Sequence, residues 1–171
     1  MKAPGWLIKK LEKRALKGVV LKELSFPKDL AKFEKSVLLM PEFPDETALK
    51  IADELGRLLG EKLKAVISFA GEPRMQGVEF IKLGKESLGL FDYPKKSACE
   101  KLRGYSAAID LSPNFALPLS ALPVWAEIEI RVGRDATCAG NAYNIIVEGN
   151  SGAPLRALFA TERKGVNERE G

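Results

Sequence analysis

The chain has 171 residues, 46% of them hydrophobic and 29% charged, which fits one globular domain and excludes a disordered or fibrous protein. It has no histidine and only two cysteines, Cys99 and Cys138, at no zinc-binding spacing; imidazole triads, most transition-metal sites and a disulfide framework are excluded, so catalysis would fall to carboxylates, lysines, tyrosines or thiols. The net charge of +4 is uneven: residues 1–35 hold ten Lys/Arg against four acids, so the rest of the chain is mildly acidic.

Residues 5–17, GWLIKKLEKRALK, predict an amphipathic helix. Leu7, Ile8, Leu11 and Ala15 recur at i, i+3/i+4, while Lys9, Lys10, Lys13, Arg14 and Lys17 crowd the other side. Gly18 is a natural stop. Three fates suit such a helix. It docks by its apolar stripe on the domain, it lies on an anionic membrane surface with Trp6 at the interface, or it touches nucleic acid. The last suits it least, because the body is acidic and lacks an aromatic stacking pattern. The N-terminus has neither the apolar core nor the cleavage site of a signal peptide. No run approaches the roughly 18 apolar residues of a membrane span. Together with reduced cysteines, this predicts a cytoplasmic protein. A boundary is expected before Ser36, giving a basic helical arm over 1–35 and a single domain over 36–171.

SVLLM (36–40) is a continuous apolar run, as in a strand buried on both faces. A helix is expected over 46–59, with Asp45 as N-cap and Gly60 as terminator. Its apolar stripe is Ala48, Ala52, Leu55 and Leu59, widened by Leu49, Ile51 and Leu58. KAVISFA (64–70) is a second buried strand, and VEFIKL (78–83) alternates as a shorter or edge strand. Residues 84–104 are polar, with a helical turn over 97–102. YSAAIDL (105–111) is a strand. FALPLSALPVW (115–125) reads as one short helix, with Pro118 near its first turn and Pro123 ending it. EIEIRV (127–132) alternates as a strand, and YNIIVEG (143–149) is the last. The tail carries an apolar patch, Leu155, Leu158 and Phe159, before a frayed Arg/Glu/Gly end. Strands separated by helices predict a doubly wound, Rossmann-like α/β fold. Its sheet is mostly parallel, of five or six strands, and a basic amphipathic helix precedes it.

In such sheets ligands sit beyond the carboxyl ends of the strands. Asp110 stands at one of these ends, where a doubly wound enzyme places a base; the same acid suits an Asx-turn over Ser-Pro-Asn. Asp45 is the second candidate base, with helix capping as its competing role. Ser112, Asn114, Arg131 and Arg134 are the candidate ligand-binding residues. The two arginines flank Gly133 at a strand end, either as an anion clamp or as solvated charges. Cys138, in DATCAGN, is a thiol with no base in sequence reach. No phosphate loop, dinucleotide fingerprint or nucleophile elbow occurs, and no cofactor or metal is expected.

Two longer stretches, GYSAAIDLSPNFALPLSALPVWAEIEIRVG (104–133) and VLLMPEFPDETALKIADEL (37–55), resemble the N-terminal domain of heptosyltransferase-type glycosyltransferases, glycosyltransferase family nine. In that family a strand ending in Ile-Asp-Leu leads into a helix rich in Leu, Ser and Ala, and a second strand ends in Arg-Ile/Val-Gly. The similarity spans residues 36–149. It implies the acceptor-holding half of a two-domain enzyme whose other half holds a nucleotide sugar. The family's first loop carries Gly-Asp, with the aspartate as base; Asp45 aligns with it, and Pro44 replaces the glycine. With 171 residues leaving no room for a donor domain, the expectation is a non-catalytic binding or assembly relative. The alternatives are an acceptor-binding half completed by a partner chain or homodimer, and a binder of anionic surfaces through the basic arm.

Overall fold

The central strands form where the apolar runs fall. Strands β1 (Ser36–Leu39), β2 (Leu63–Ser68), β3 (Glu79–Lys82), β4 (Ala107–Asp110), β5 (Ile130–Gly133) and β6 (Ile145–Ile146) make one sheet, in the order β3-β2-β1-β4-β5-β6. Every pairing is parallel. The chain winds outward from β1 to β3, crosses back to β4, and winds outward again. This is the doubly wound, Rossmann-like topology, whose direction reverses between β1 and β4. The computed structural model describes residues 5–21, 23–24, 32–69, 75–90, 93–134, 142–147, 153 and 157–159. Cys138, Leu155 and the end of the tail lie outside them.

Strands β1, β4 and β5 are buried at every position, as parallel strands covered on both faces must be. Alternate residues feed two cores. Leu38, Val66, Ile109, Ile130 and Val132 pack beneath helix α2 (Glu46–Leu59), through its Ala48, Ile51, Ala52, Leu55 and Leu59. Val37, Leu39, Ala65, Ile67 and Ala108 face the opposite side. There they meet Ala98 of α3 (Lys96–Glu100), Leu119 of α4 (Leu117–Ser120) and Leu122 of α5 (Leu122–Trp125). Strand β3, at the sheet edge, is only half-buried. Phe33 and Phe159 close the first core, their rings edge-to-face at 6.1 Å.

Local chemistry sets the ends of α2. The Asp45 carboxylate accepts the Ala48 N–H at 2.7 Å, and Gly60, at φ +54°, turns the chain out of the helix. Asp45→Ala should therefore lose about 1 kcal/mol of unfolding free energy in urea, and Asp45→Asn only a few tenths. Equal losses in the two variants would show that the cap contributes nothing.

Two expectations are corrected. Residues 115–125 form two single-turn helices, not one, because Pro123 sits in the first turn of α5, where no N–H is needed, instead of ending a helix. Strand β5 starts at Ile130, not 127. Glu127 adopts φ +58° and donates its N–H to the Val124 carbonyl, while the Ile128 N–H reaches Pro123 O at 2.9 Å. This is a Schellman closure, completed by burial of Ile128, so the first half of the alternation belongs to a helix end.

Helix α1 (Gly5–Ala15) docks on the domain through its second half. Ala15 and Leu16 pack on Phe115, Leu117, Ala121 and Val124. Tyr93 donates its hydroxyl to Leu11 O at 2.7 Å, and the Trp125 indole donates to Ala15 O at 3.1 Å. The Glu34 and Lys35 amides both donate to Ser106 Oγ. The segment leading into β1 is thus tied to the sheet. No helix among the described residues is long and apolar enough to cross a membrane.

Candidate ligand crevice at the switch point of the sheet

Strand order decides where a crevice can form. The loops after β1 and β4 leave the sheet toward opposite faces, so the space above those two strands stays open. Asp110 ends β4, in register with Leu39 of β1, with only 1% of its surface exposed. Its side chain lies on the α4–α5 side of the sheet. One oxygen accepts the Ser112 N–H at 2.8 Å, which makes the Asx-turn. The other accepts two hydroxyls, Ser120 Oγ and Tyr143 OH, each at 2.5 Å. Ser120 Oγ also accepts the Ala116 N–H at 3.0 Å, so one side chain closes the first turn of α4 and holds Asp110. Burial pushes the Asp110 pKa above its ordinary value, and the three donors pull it only partly back. The Ser112 hydroxyl lies near the same carboxylate but makes no hydrogen bond of ordinary geometry.

The carboxylate therefore works as a three-way tie between β4, α4 and the chain entering β6. Tyr143 reaches it from 33 residues away, and it does so by lying flat on Gly133. Neither Tyr143 nor Ser120 stands out in the sequence. Ser120 is one serine in an apolar stretch, and Tyr143 is one aromatic residue at the head of an apolar run, with nothing nearby in the sequence to mark its partner.

Above this tie lies a crevice of about 270 Å³. Ser112, Pro113, Asn114 and Phe115 line it from the turn after β4, Pro41 and Glu42 from the loop after β1, Phe69 from the end of β2, and Leu119 from α4. The structure thus brings Ser112 and Asn114 together, as the sequence expects of a rim. Glu42 and Phe69 join them from separate loops that no local signal links. Glu42 is exposed, and it is the carboxylate that the crevice presents. Asp45 is exposed but points its oxygen at the α2 amides and does not line the crevice.

The two arginines separate. Arg134 reaches the rim, where its Nη1 donates to Leu111 O at 3.4 Å. Arg131 lies within β5, paired with Ala108, and only 6% of it is exposed. Its expected place at a strand end is corrected by the register: β5 runs on through Gly133. Its Nε is buried without a hydrogen-bond partner, and desolvation lowers its pKa. A larger depression of about 600 Å³, beside Asp53, Arg57 and Met75, sits at the amino ends of β2 and β3, away from the switch point. Among the described residues no three His, Cys, Asp or Glu side chains gather as a metal site would require. The basic arm presents Trp6, Lys9, Lys10, Lys13, Arg14 and Lys17 to solvent, on the outer side of α1.

Compared with known proteins, the chain matches no family model, no curated protein and no solved structure.

Proposed function

We propose that this chain is a binding domain, akin to the acceptor-holding domain of heptosyltransferase-type glycosyltransferases, and that it does not catalyse a reaction by itself. Its ligand is small, partly apolar and hydroxyl-bearing, and it sits in the crevice above β1 and β4. The observation that carries this reading is the state of Asp110. Both oxygens of the strand-end acid accept internal donors and the residue is only 1% exposed, so it is held as a buried tie and not presented to a ligand. Asp45 is likewise engaged, as a helix cap. The crevice offers what binding needs instead. Phe69, Phe115 and three prolines make apolar walls, and Ser112, Asn114 and Glu42 supply polar atoms. Its volume lies just below the ~300–1,000 Å³ of drug-sized sites, which favours a ligand of monosaccharide size.

Thermal unfolding with a panel of monosaccharides, their phosphates and nucleotide sugars tests the reading. A ligand at a hundred times its Kd adds about 2.7 kcal/mol of stability, which in a chain of this length raises Tm by roughly 5–10 °C. The expected result is saturable stabilisation by a simple sugar or sugar phosphate, abolished in Ala116→Trp, because Ala116 also lines the crevice and an indole there would fill it. Saturable binding of a nucleotide sugar, with release of its sugar, would assign donor chemistry to the chain and overturn the proposal. Stabilisation that survives Ala116→Trp would place the ligand elsewhere.

A further inference from the structure

Docking of α1 and contact with a membrane look like competing fates for an amphipathic helix, since both would use its apolar stripe. The structure separates them. The docked stripe is Leu11, Ala15 and Leu16, and the packing is concentrated in the second half of the helix. Trp6 is not on that stripe. It is 68% exposed, and Lys10 and Lys13 follow it by four and seven residues, which sets the three in one row along the outer side, with exposed Lys17 in the turn just past the helix. Lys9 and Arg14 flank the row, and all five cations are exposed. Ile8, in the projecting first half, is 39% exposed. Glu12 is the sole acid of this helix, and it lies on the flank beside Lys9.

An indole set among five cations, with the domain fixed behind it, is complementary to an anionic lipid surface. The indole enters the headgroup boundary while the ammonium and guanidinium groups meet lipid phosphates and carboxylates. A nucleic-acid duplex would use the cations but give no place to a lone indole. We propose that α1 stays docked and presents its outward face, Trp6 among Lys9, Lys10, Lys13, Arg14 and Lys17, to an anionic lipid surface, mooring the domain peripherally. This does not depend on what the crevice holds.

The test uses the full chain with vesicles of phosphatidylcholine alone or of 3:1 phosphatidylcholine–phosphatidylserine. Binding is expected to the mixed vesicles only and to weaken in high salt. Each cation near such a surface contributes about fivefold in affinity, so Lys10→Ala/Lys13→Ala should lose roughly thirtyfold. The two tryptophans divide the fluorescence readout. In Trp125→Phe, the emission of Trp6 should shift to the blue on binding. In Trp6→Phe, the emission of Trp125, whose indole is bonded beneath α1, should stay unchanged. A red shift of Trp125 would mean that the helix undocks, which overturns the proposal. So would equal binding to both vesicles, no binding to either, an unaltered affinity in the double lysine variant, or tighter binding to a DNA duplex lost in that same variant.

Discussion

Asp110→Ala is expected to lower the unfolding free energy by about 4 kcal/mol, the larger part of what a marginally stable domain has. The change strands three buried donors at once: the Ser112 amide, the Ser120 hydroxyl and the Tyr143 hydroxyl. Each unsatisfied buried group costs about 1–3 kcal/mol. Asp110→Asn should cost about half as much. The amide oxygen still accepts the Ser112 N–H, and the amide nitrogen can donate to the tyrosine oxygen. Ser120 is the difficulty, because its oxygen already accepts the Ala116 N–H and its proton would lose the one acceptor it has. Urea denaturation at pH 7 ranks the three proteins. Near-equal stability of Asp110→Ala and the wild type would show that water replaces the tie, and the functional reading built on it would fall.

The same residue fixes the sign of a pH effect. Burial raises the Asp110 pKa above its ordinary 3.8. An acid with a raised folded pKa holds its proton more readily folded than unfolded. Its contribution to stability is therefore fully present below about 3.8 and lost as pH rises through the folded value. The gap between wild type and Asp110→Asn should narrow as pH rises from that value, at a limiting rate of about 1.4 kcal/mol per pH unit. Glu12, whose pKa burial also raises, is common to both proteins and cancels from the comparison. A gap that widens with pH would mean that the three donors outweigh burial.

The parts of this fold that were legible in the sequence are those decided locally. Asp45, Gly60 and the apolar stripe between them define α2 because a cap, a left-handed glycine and a 3.6-residue period each act within a few residues. Strands β1, β2 and β4 follow from apolar runs too short for helices, and Ser112 and Asn114 reach the crevice because they directly follow β4. What was illegible depends on pairing at a distance. Arg131 reads as a rim residue until its register with Ala108 places it inside the sheet. Glu127 reads as the start of a strand until Ile128 finds a buried site and closes α5 instead. The Tyr143 bond to Asp110 joins residues 33 apart, and no periodicity reports such a contact.

Gly133 is where that long-range contact left a trace in the sequence, and Gly133→Ala should cost about 3 kcal/mol. A glycine within a strand is ordinarily a weakness, and alanine would be expected to help by roughly 0.5–1 kcal/mol. Here a Cβ would stand 2.6 Å from Cγ of the Tyr143 ring, with two other ring carbons closer still. The ring is 3% exposed and cannot swing aside without leaving its pocket. Overpacking of this kind costs about 1–3 kcal/mol, and displacing the hydroxyl from Asp110 leaves it a buried donor without a partner, which costs about 1–3 kcal/mol. The two losses overlap, because both come from moving one ring, so the total falls short of their sum. A double-mutant cycle isolates the cause. In a Tyr143→Ala background the ring is gone, and Gly133→Ala should become neutral or mildly stabilising. If alanine costs the same in both backgrounds, the glycine serves the strand backbone and not the tyrosine.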